Sequence, residues 1–335
     1  MKKDIQKIAL IRLSALGDII NSAIVLEFIH NNFANASVTW VCEEVFAPIL
    51  RGHPLINKVE TLNLKKIKKD KNISELFATL SHLRNIGDFD IVIDIQGLLK
   101  SAVVARLIGK NTHGFDKHSS REPLSSLFYK TTSNIAYEQN VIKRNCFVVG
   151  DALGFEINDG MILEKKPIFG HLKDNYTLPK QNNKKNIAIV IGASWKSKKY
   201  PKEKIAQLCT KLQQNSLIIW GNDDEMEDAL WICDNAKGYA TPAPKLTLKS
   251  LVSFISQVDL LIGNDTGPTH IAWAQNIPSI TLFGPTTSRM IYETPINSYL
   301  KSPSKVDISK INKNDFSIKD IEVVDIVKKA KELLK

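Results

Sequence analysis

Short runs of aliphatic and β-branched residues alternate with helix-length amphipathic segments along this chain, and the alternation is the strongest constraint on what it can fold into. A strand buried on both faces reads as a continuous apolar run, and an intervening helix long enough to cross back makes the next strand parallel. Strands are predicted at Lys7 to Leu13, Ser37 to Cys42, Lys58 to Leu62, Asp90 to Ile93 and Thr112 to Phe115. Helices are predicted from about Asp18, at Ser74 to Asn85, at Leu98 to Ile108 and at Glu138 to Ala152. A polar stretch rich in Pro, Asn and Lys, Gly154 to Lys185, interrupts the pattern. It then restarts, with strands at Asn186 to Gly192, Ser216 to Trp220, Gly238 to Ala240, Asp259 to Gly263 and Ser279 to Phe283. The second set of helices falls at Lys202 to Gln214, Glu225 to Asn235, Leu248 to Gln257 and Pro268 to Gln275. The expected fold is α/β, with two doubly wound Rossmann-like domains, residues 1–165 and 184–317, facing a central cleft. Ile318 to Leu334 has helical spacing, and a closing helix over 318–335 is expected to cross back onto the first domain. No repeat of solenoid length is present.

The composition agrees with an ordinary globular protein: 335 residues, 43% apolar, suit two domains with full cores. A net charge of +10 with charged residues spread along the chain describes a basic surface and points to anionic partners. The four cysteines form no CxxC pair and the seven histidines no HxxxH or HExxH, which argues against a disulfide framework or a zinc site and for a reducing compartment, the cytoplasm. Arg12 and Asp18 interrupt the first apolar stretch and no A-x-A site follows, so the start reads as a strand and not as a signal peptide. No apolar run approaches the ~20 residues that span a bilayer, so any membrane contact is expected to be peripheral.

Ligands of open α/β sheets bind at the strand-to-helix turns. The first turn, Ser14 to Asp18, has a single glycine, and neither GxGxxG nor GxxxxGK[ST] occurs in the chain, so dinucleotide and Walker-type sites are not expected. Asp18 at a helix start is either a cap for orphan N–H groups or a base, with Asp94 and Asp116 the alternative carboxylates. The run Leu260 to His270, LLIGNDTGPTH, carries the strongest phosphate signal. The N–H groups of Thr266, Gly267 and Thr269, with Pro268 at the first helical position, suit a diphosphate, while Asp265 suits sugar hydroxyls. His270 fits either packing or ligand contact. Lys196, Lys198 and Lys199 follow a strand and can offset the charge of a departing diphosphate, or form a solvated run. Glu225 can bridge ribose hydroxyls or simply favour its helix start. The segment Asp94 to Arg121 is dense in polar residues beside glycine turns, which suits an acidic acceptor or a salt-bridged loop. Five lysines between Lys65 and Lys71 read as a solvated loop or as a contact for an anionic membrane surface.

Four segments, IRLSALGDIINS from Ile11, DIQGLLKSA from Asp94, GFDKHSSREPLSSLFY from Gly114 and NDTGPTHIAWA from Asn264, agree in order and spacing. Together the chain resembles the ADP-heptose:lipopolysaccharide heptosyltransferases of glycosyltransferase family 9, and among them the type I enzymes. The resemblance implies a GT-B fold with the acceptor on the first domain and the ADP-sugar on the second. It implies Asp18 as general base and Lys198 as contact for diphosphate and transferred sugar. Glu225 corresponds to a ribose-binding acid, Asp265, Thr266, Gly267 and His270 to the donor loop, Ser194 to a nucleotide contact, and Leu246 to an apolar residue near adenine. Ser14, Gly17, Lys100 and Arg121, the last in the REP motif, fall on the acceptor side. Ala193 to Ser197 depart from the paired threonines and acids of many relatives.

The reaction implied is inverting transfer of heptose from ADP-heptose to the inner Kdo of Kdo–lipid A. It needs no cofactor and no metal, and is carried out by a monomer at the cytoplasmic face of the inner membrane. The alternatives are a GT-B transferase or epimerase for another nucleotide sugar and, more distantly, a basic nucleic-acid binder. The latter is disfavoured by the absence of RNP, KH and zinc motifs and by only 7% aromatic residues.

Overall fold

A computed structural model describes residues 5–70, 72–174, 177–178, 183–308 and 310–335. The chain divides into two compact units, residues 1–165 and 166–335. In the first, the described elements run β1 (Lys7–Ile11), α1 (Leu16–Ser22), α2 (Val25–Asn32), β2 (Ser37–Glu43), α3 (Ala47–Leu50), β3 (Lys58–Leu62), α4 (Leu64–Asp70), α5 (Ile73–Arg84), β4 (Ile91–Asp94), α6 (Leu99–Ile108), β5 (Thr112–Phe115), β6 (Thr131–Ser133), α7 (Val141–Leu153) and α8 (Asp159–Leu163). In the second they run β7 (Asn186–Val190), α9 (Lys202–Leu212), β8 (Asn215–Ile219), α10 (Asp223–Asn235), β9 (Ala240–Pro242), α11 (Leu248–Ile255), β10 (Leu260–Asn264), α12 (Gly267–Ala274), β11 (Ser279–Phe283), β12 (Asn297–Lys301) and α13 (Val323–Leu333).

Each unit holds one six-stranded sheet, β3-β2-β1-β4-β5-β6 and β12-β11-β10-β7-β8-β9, with every pairing parallel. Numbered within its own unit, each sheet has the order 3-2-1-4-5-6 of a doubly wound fold. The order reverses between β1 and β4 in one unit and between β7 and β10 in the other, and there the following helices leave to opposite faces and open a crevice. The four reversal-point strands are almost wholly buried, as their continuous apolar runs require.

The structure adds a sixth strand to each sheet where the sequence pattern gives five. β6 is a three-residue polar edge strand, Thr-Thr-Ser, and β12 is a half-buried one, so neither shows the apolar run of an inner strand. The lysine run is not a loop. Its described part is the helix α4, in which Ile67 is buried while Lys66 and Lys69 face solvent; Lys71 lies outside the described residues. The closing helix, expected on the first domain, packs into the core of the second unit. In α13, Val323, Ile326 and Ala330 join Ile205, Leu208 and Leu212 of α9 and Ile280 and Leu282 of β11 in the core of the second unit. Tyr200 Oη donates to the carbonyl of Ile321 at 2.7 Å and fastens its approach.

Candidate active site

In the first unit, the turns after β1 and β4 are tied side by side at the reversal point. Leu13 N–H donates to Gln96 Oε1 at 2.7 Å, and the Arg12 guanidinium donates to the carbonyl of Ile95. Arg12 is buried, and its other terminal nitrogen meets Asp18 Oδ1 at 2.8 Å. The helix start corrects the simple capping expectation for Asp18. The N-cap position is Ala15, and Asp18 is the third helical residue, reaching back to accept the Ala15 N–H at 3.2 Å. That is the return half of a capping box. The side chain keeps 27% of its surface exposed, so a hydroxyl can still reach it. Lys100 Nζ donates to Ser14 Oγ at 3.1 Å, uniting two predicted acceptor-side residues, with Gly17 in the same turn. Arg121 is exposed, and among the described residues no carboxylate pairs with it.

Asp94 and Asp116 are built into the scaffold. Asp94 is fully buried, accepts the Gln96 N–H at 2.8 Å and the Tyr129 hydroxyl at 2.7 Å, and burial pushes its pKa up against the hydrogen bonds it accepts. Tyr129 reaches it by lying across Gly114, where a Cβ would come within 2.6 Å of the ring. Asp116 accepts from the N–H groups of His118 and Ser119 and from Asn134 at 2.6 Å. Burial opposes its ionisation, but these bonds outweigh it and hold the pKa low. Both carboxylates hold the turns that carry them.

In the second unit, the turns after β7 and β10 are joined by an ion pair. Lys198, in the 3₁₀ turn Lys196–Lys198, places Nζ 2.8 Å from Asp265 Oδ2, with the residues only 8% and 5% exposed. Thr286 donates to the same oxygen at 2.9 Å, and His270 Nε2 lies 3.3 Å from Oδ1. Burial alone would raise the Asp265 pKa. Lys198 first, then His270, overcomes this and holds the carboxyl well below its ordinary range. Asp265 therefore anchors Lys198 and His270, and both of its oxygens are engaged within the protein. Two details of the loop also differ. Pro268 is the second helical residue, after Gly267, and Thr266 N–H donates to Thr269 Oγ1 at 3.2 Å. Gly267 N–H, at the first helical position, has no carbonyl of an earlier turn to bond.

Glu225 is buried at the start of α10, where Oε2 accepts the Gly221 N–H at 2.9 Å and Oε1 lies 3.4 Å from Lys199 Nζ. It packs so closely on Gly192 that a Cβ there would come within 2.7 Å of the carboxylate. Lys198 and Lys199 thus each hold a different acid, while Lys196 and Ser194 are exposed and Leu246 is half-buried. Arg12, Thr286 and Trp195 also take part in these contacts, though no sequence motif singles them out. The indole of Trp195 carries Lys198 Nζ at 5.1 Å and Lys313 Nζ at 5.3 Å from its centroid. A cation at the end of an apolar strand was a legible signal for Arg12, since an arginine is buried only when paired. Thr286 gave none, because its partner is distant in sequence. Among the described residues no group of three His, Cys, Asp or Glu side chains is placed to hold a metal ion.

The profile of glycosyltransferase family 9 (heptosyltransferase) matches residues 78–316. Lipopolysaccharide heptosyltransferase 1 of Campylobacter coli is 39% identical over 344 aligned residues, covering 98% of each chain. The protein of the same name from Pseudomonas aeruginosa is 27% identical, covering 84% of this chain and 79% of its own. Among solved structures, E. coli heptosyltransferase WaaC with ADP-2-deoxy-2-fluoro heptose superposes with a TM-score of 0.81 at 23% identity, over 98% of this chain and 99% of the other. This last likeness is one of fold: two parallel sheets, each flanked by helices, as in a GT-B enzyme.

Proposed function

The chain belongs to glycosyltransferase family 9, the heptosyltransferases, and from that membership we propose that it is a type 1 lipopolysaccharide heptosyltransferase. It moves L-glycero-D-manno-heptose from ADP-heptose to a Kdo hydroxyl of Kdo–lipid A, with inversion at the anomeric carbon. The observation that carries this reading is the end-to-end alignment at 39% identity with the C. coli enzyme. In the proposed reaction the acceptor oxygen forms a bond to the anomeric carbon as the bond to the ADP oxygen breaks. The electron pair leaves on the diphosphate, and Asp18 takes the hydroxyl proton. Arg12 keeps Asp18 aimed and charge-compensated. Lys198, the Gly267 and Thr269 N–H groups and the positive end of α12 offset the charge on the departing diphosphate. Asp265 holds Lys198 and His270, Glu225 faces the ribose, Ser194 contributes a nucleotide contact, and Leu246 lies near adenine. Ser14, Gly17, Lys100 and Arg121 meet the carboxylates and phosphates of the acceptor, which guanidinium and ammonium groups suit.

No helix among the described residues is long and apolar enough to cross a membrane. A lipid-linked acceptor then calls for peripheral association, proposed here at the cytoplasmic face of the inner membrane. Incubation with ADP-heptose and Kdo–lipid A, read by mass spectrometry, should add one heptose to the acceptor. A panel of UDP- and GDP-sugars in place of ADP-heptose should give no product, and transfer from one of them instead would reassign the donor.

A further inference from the structure

A short 3₁₀ helix, Pro123–Phe128, lies between Arg121 and Tyr129 and packs on α6. Two of its leucines are the opposite of what a core would do with them: Leu124 is 64% exposed and Leu127 78%. With three residues per turn, positions i and i+3 of such a helix eclipse, so these side chains form one apolar ridge. Leu99, 40% exposed, lies next to its base, since the Leu99 N–H donates to Glu122 Oε2 at 2.7 Å. The ridge is rigidly mounted and not a loose loop. Ser125 Oγ is hydrogen-bonded to Ser120 Oγ at 2.9 Å beneath it, and Tyr129 is pinned to Asp94 at its far end. Its flanks are cationic. Between Lys117 and Lys130 the only acid is Glu122, already engaged by Leu99, while Lys117, Arg121 and Lys130, with Lys100 beside Leu99, are all exposed.

We propose that the Leu124–Leu127 ridge is a membrane-docking element that enters an anionic lipid surface while the surrounding cations meet its headgroups. Apolar side chains alone give a patch of undirected stickiness, and cations alone give an association that salt screens away; stable interfacial binding takes both. The helix α4 supplies only the second. Its Ile67 is turned inward, and Lys66 stands 3.8 Å from Glu75. The choice of a lipid surface as the occupant rests on the lipid-linked acceptor proposed above. The ridge follows Arg121 directly and its flank includes Lys100, which touches the Asp18 turn through Ser14, so docking there would bring an acceptor's headgroup to the side of the unit that carries the proposed base.

The test is sedimentation with vesicles of phosphatidylethanolamine and phosphatidylglycerol, against phosphatidylcholine alone. The proteins are the wild type, a Leu124→Ser/Leu127→Ser variant and, as a control for an exposed leucine elsewhere, Leu163→Ser. The double variant should lose about tenfold or more of its affinity for the anionic vesicles, with the melting temperature and turnover on a water-soluble deacylated acceptor unchanged. The control should bind like wild type. In a separate Leu127→Trp variant, the new indole should blue-shift on adding anionic vesicles. Equal binding by wild type and double variant would overturn the proposal. So would loss of turnover on the deacylated acceptor, which would put the leucines in the sugar site, or a loss of self-association in the double variant, which would make a second copy the occupant. Ridge-dependent binding by a protein that transfers no heptose would support docking and sink the functional reading. Transfer with ridge-independent binding would do the reverse.

Discussion

Asp18 is held from two sides, by the buried Arg12 guanidinium and by the Ala15 N–H, and both contacts survive replacement of one carboxylate oxygen only in part. Asp18→Asn keeps the shape and an acceptor for the N–H while removing the base. If Asp18 takes the acceptor proton, kcat should fall by about 10² to 10⁴ with ADP affinity, read by calorimetry, little changed; a folded variant with near-normal turnover would leave Asp18 as a helix-end residue only. Lys198 and Asp265 present the opposite balance, because both are buried. Lys198→Ala should weaken ADP binding and also strand a buried carboxylate, costing about 3 to 5 kcal/mol, whereas Lys198→Met with Asp265→Asn should recover much of the stability but not the binding. The pH dependence has a definite sign. A carboxyl whose native pKa is depressed, as that of Asp265 is by Lys198 and His270 against the opposing effect of burial, contributes stability above the unfolded value of about 3.9 and loses it as pH falls below that. Denaturant melts of wild type should therefore weaken steeply below about pH 4, and those of Asp265→Asn less so.

Among the elements, α13 is the one whose covering sheet the sequence pattern leaves open. Its apolar stripe at Val323, Ile326 and Ala330 specifies only that one face is buried, and the 3.6-residue period says nothing about which sheet covers it. The nearer surface decides: Gly284, just past β11, lies so close to Ile318 that a Cβ would come within 2.6 Å of the Ile318 Cβ and 3.0 Å of its backbone nitrogen. Gly284→Ala should push the approach to α13 off the sheet and cost about 1 to 3 kcal/mol, measurable by chemical denaturation, with protection of the α13 amides against hydrogen exchange falling first. An unchanged melt would mean that the Ile318 contact does not hold the segment in place. The lysine-rich α4 was misjudged for a related reason. Lysine is a good helix former, and one inward Ile67 with Leu64 is enough to seat a seven-residue helix, but a charge run reads as solvated whichever backbone it has.

At the scale of the molecule, each unit carries its own sheet and core, and the proposed nucleotide contacts, from Ser194 to His270, all belong to the second. Four of the five tryptophans do as well. ADP at about 100 times its dissociation constant should therefore add about 2.7 kcal/mol to the unfolding that tryptophan fluorescence reports, and less in Lys198→Ala at the same ADP concentration. No shift with ADP would remove the donor site from this unit. The sequence by itself determined the two doubly wound sheets, the turns that carry function and the family, because apolar runs, helical periods and short motifs such as NDTGPTH are local properties of the chain. The edge strands β6 and β12 were beyond it, since too few of their residues are buried to leave a pattern. Only the tertiary structure decided how the charges are shared out. That Asp265 is the anchor of Lys198, that Arg12 stands behind Asp18, and that Leu124 and Leu127 are left in solvent all depend on which turns meet across neighbouring strands. Such meetings join residues as far apart as Lys198 and Asp265 or Arg12 and Ile95, and no local spacing encodes them.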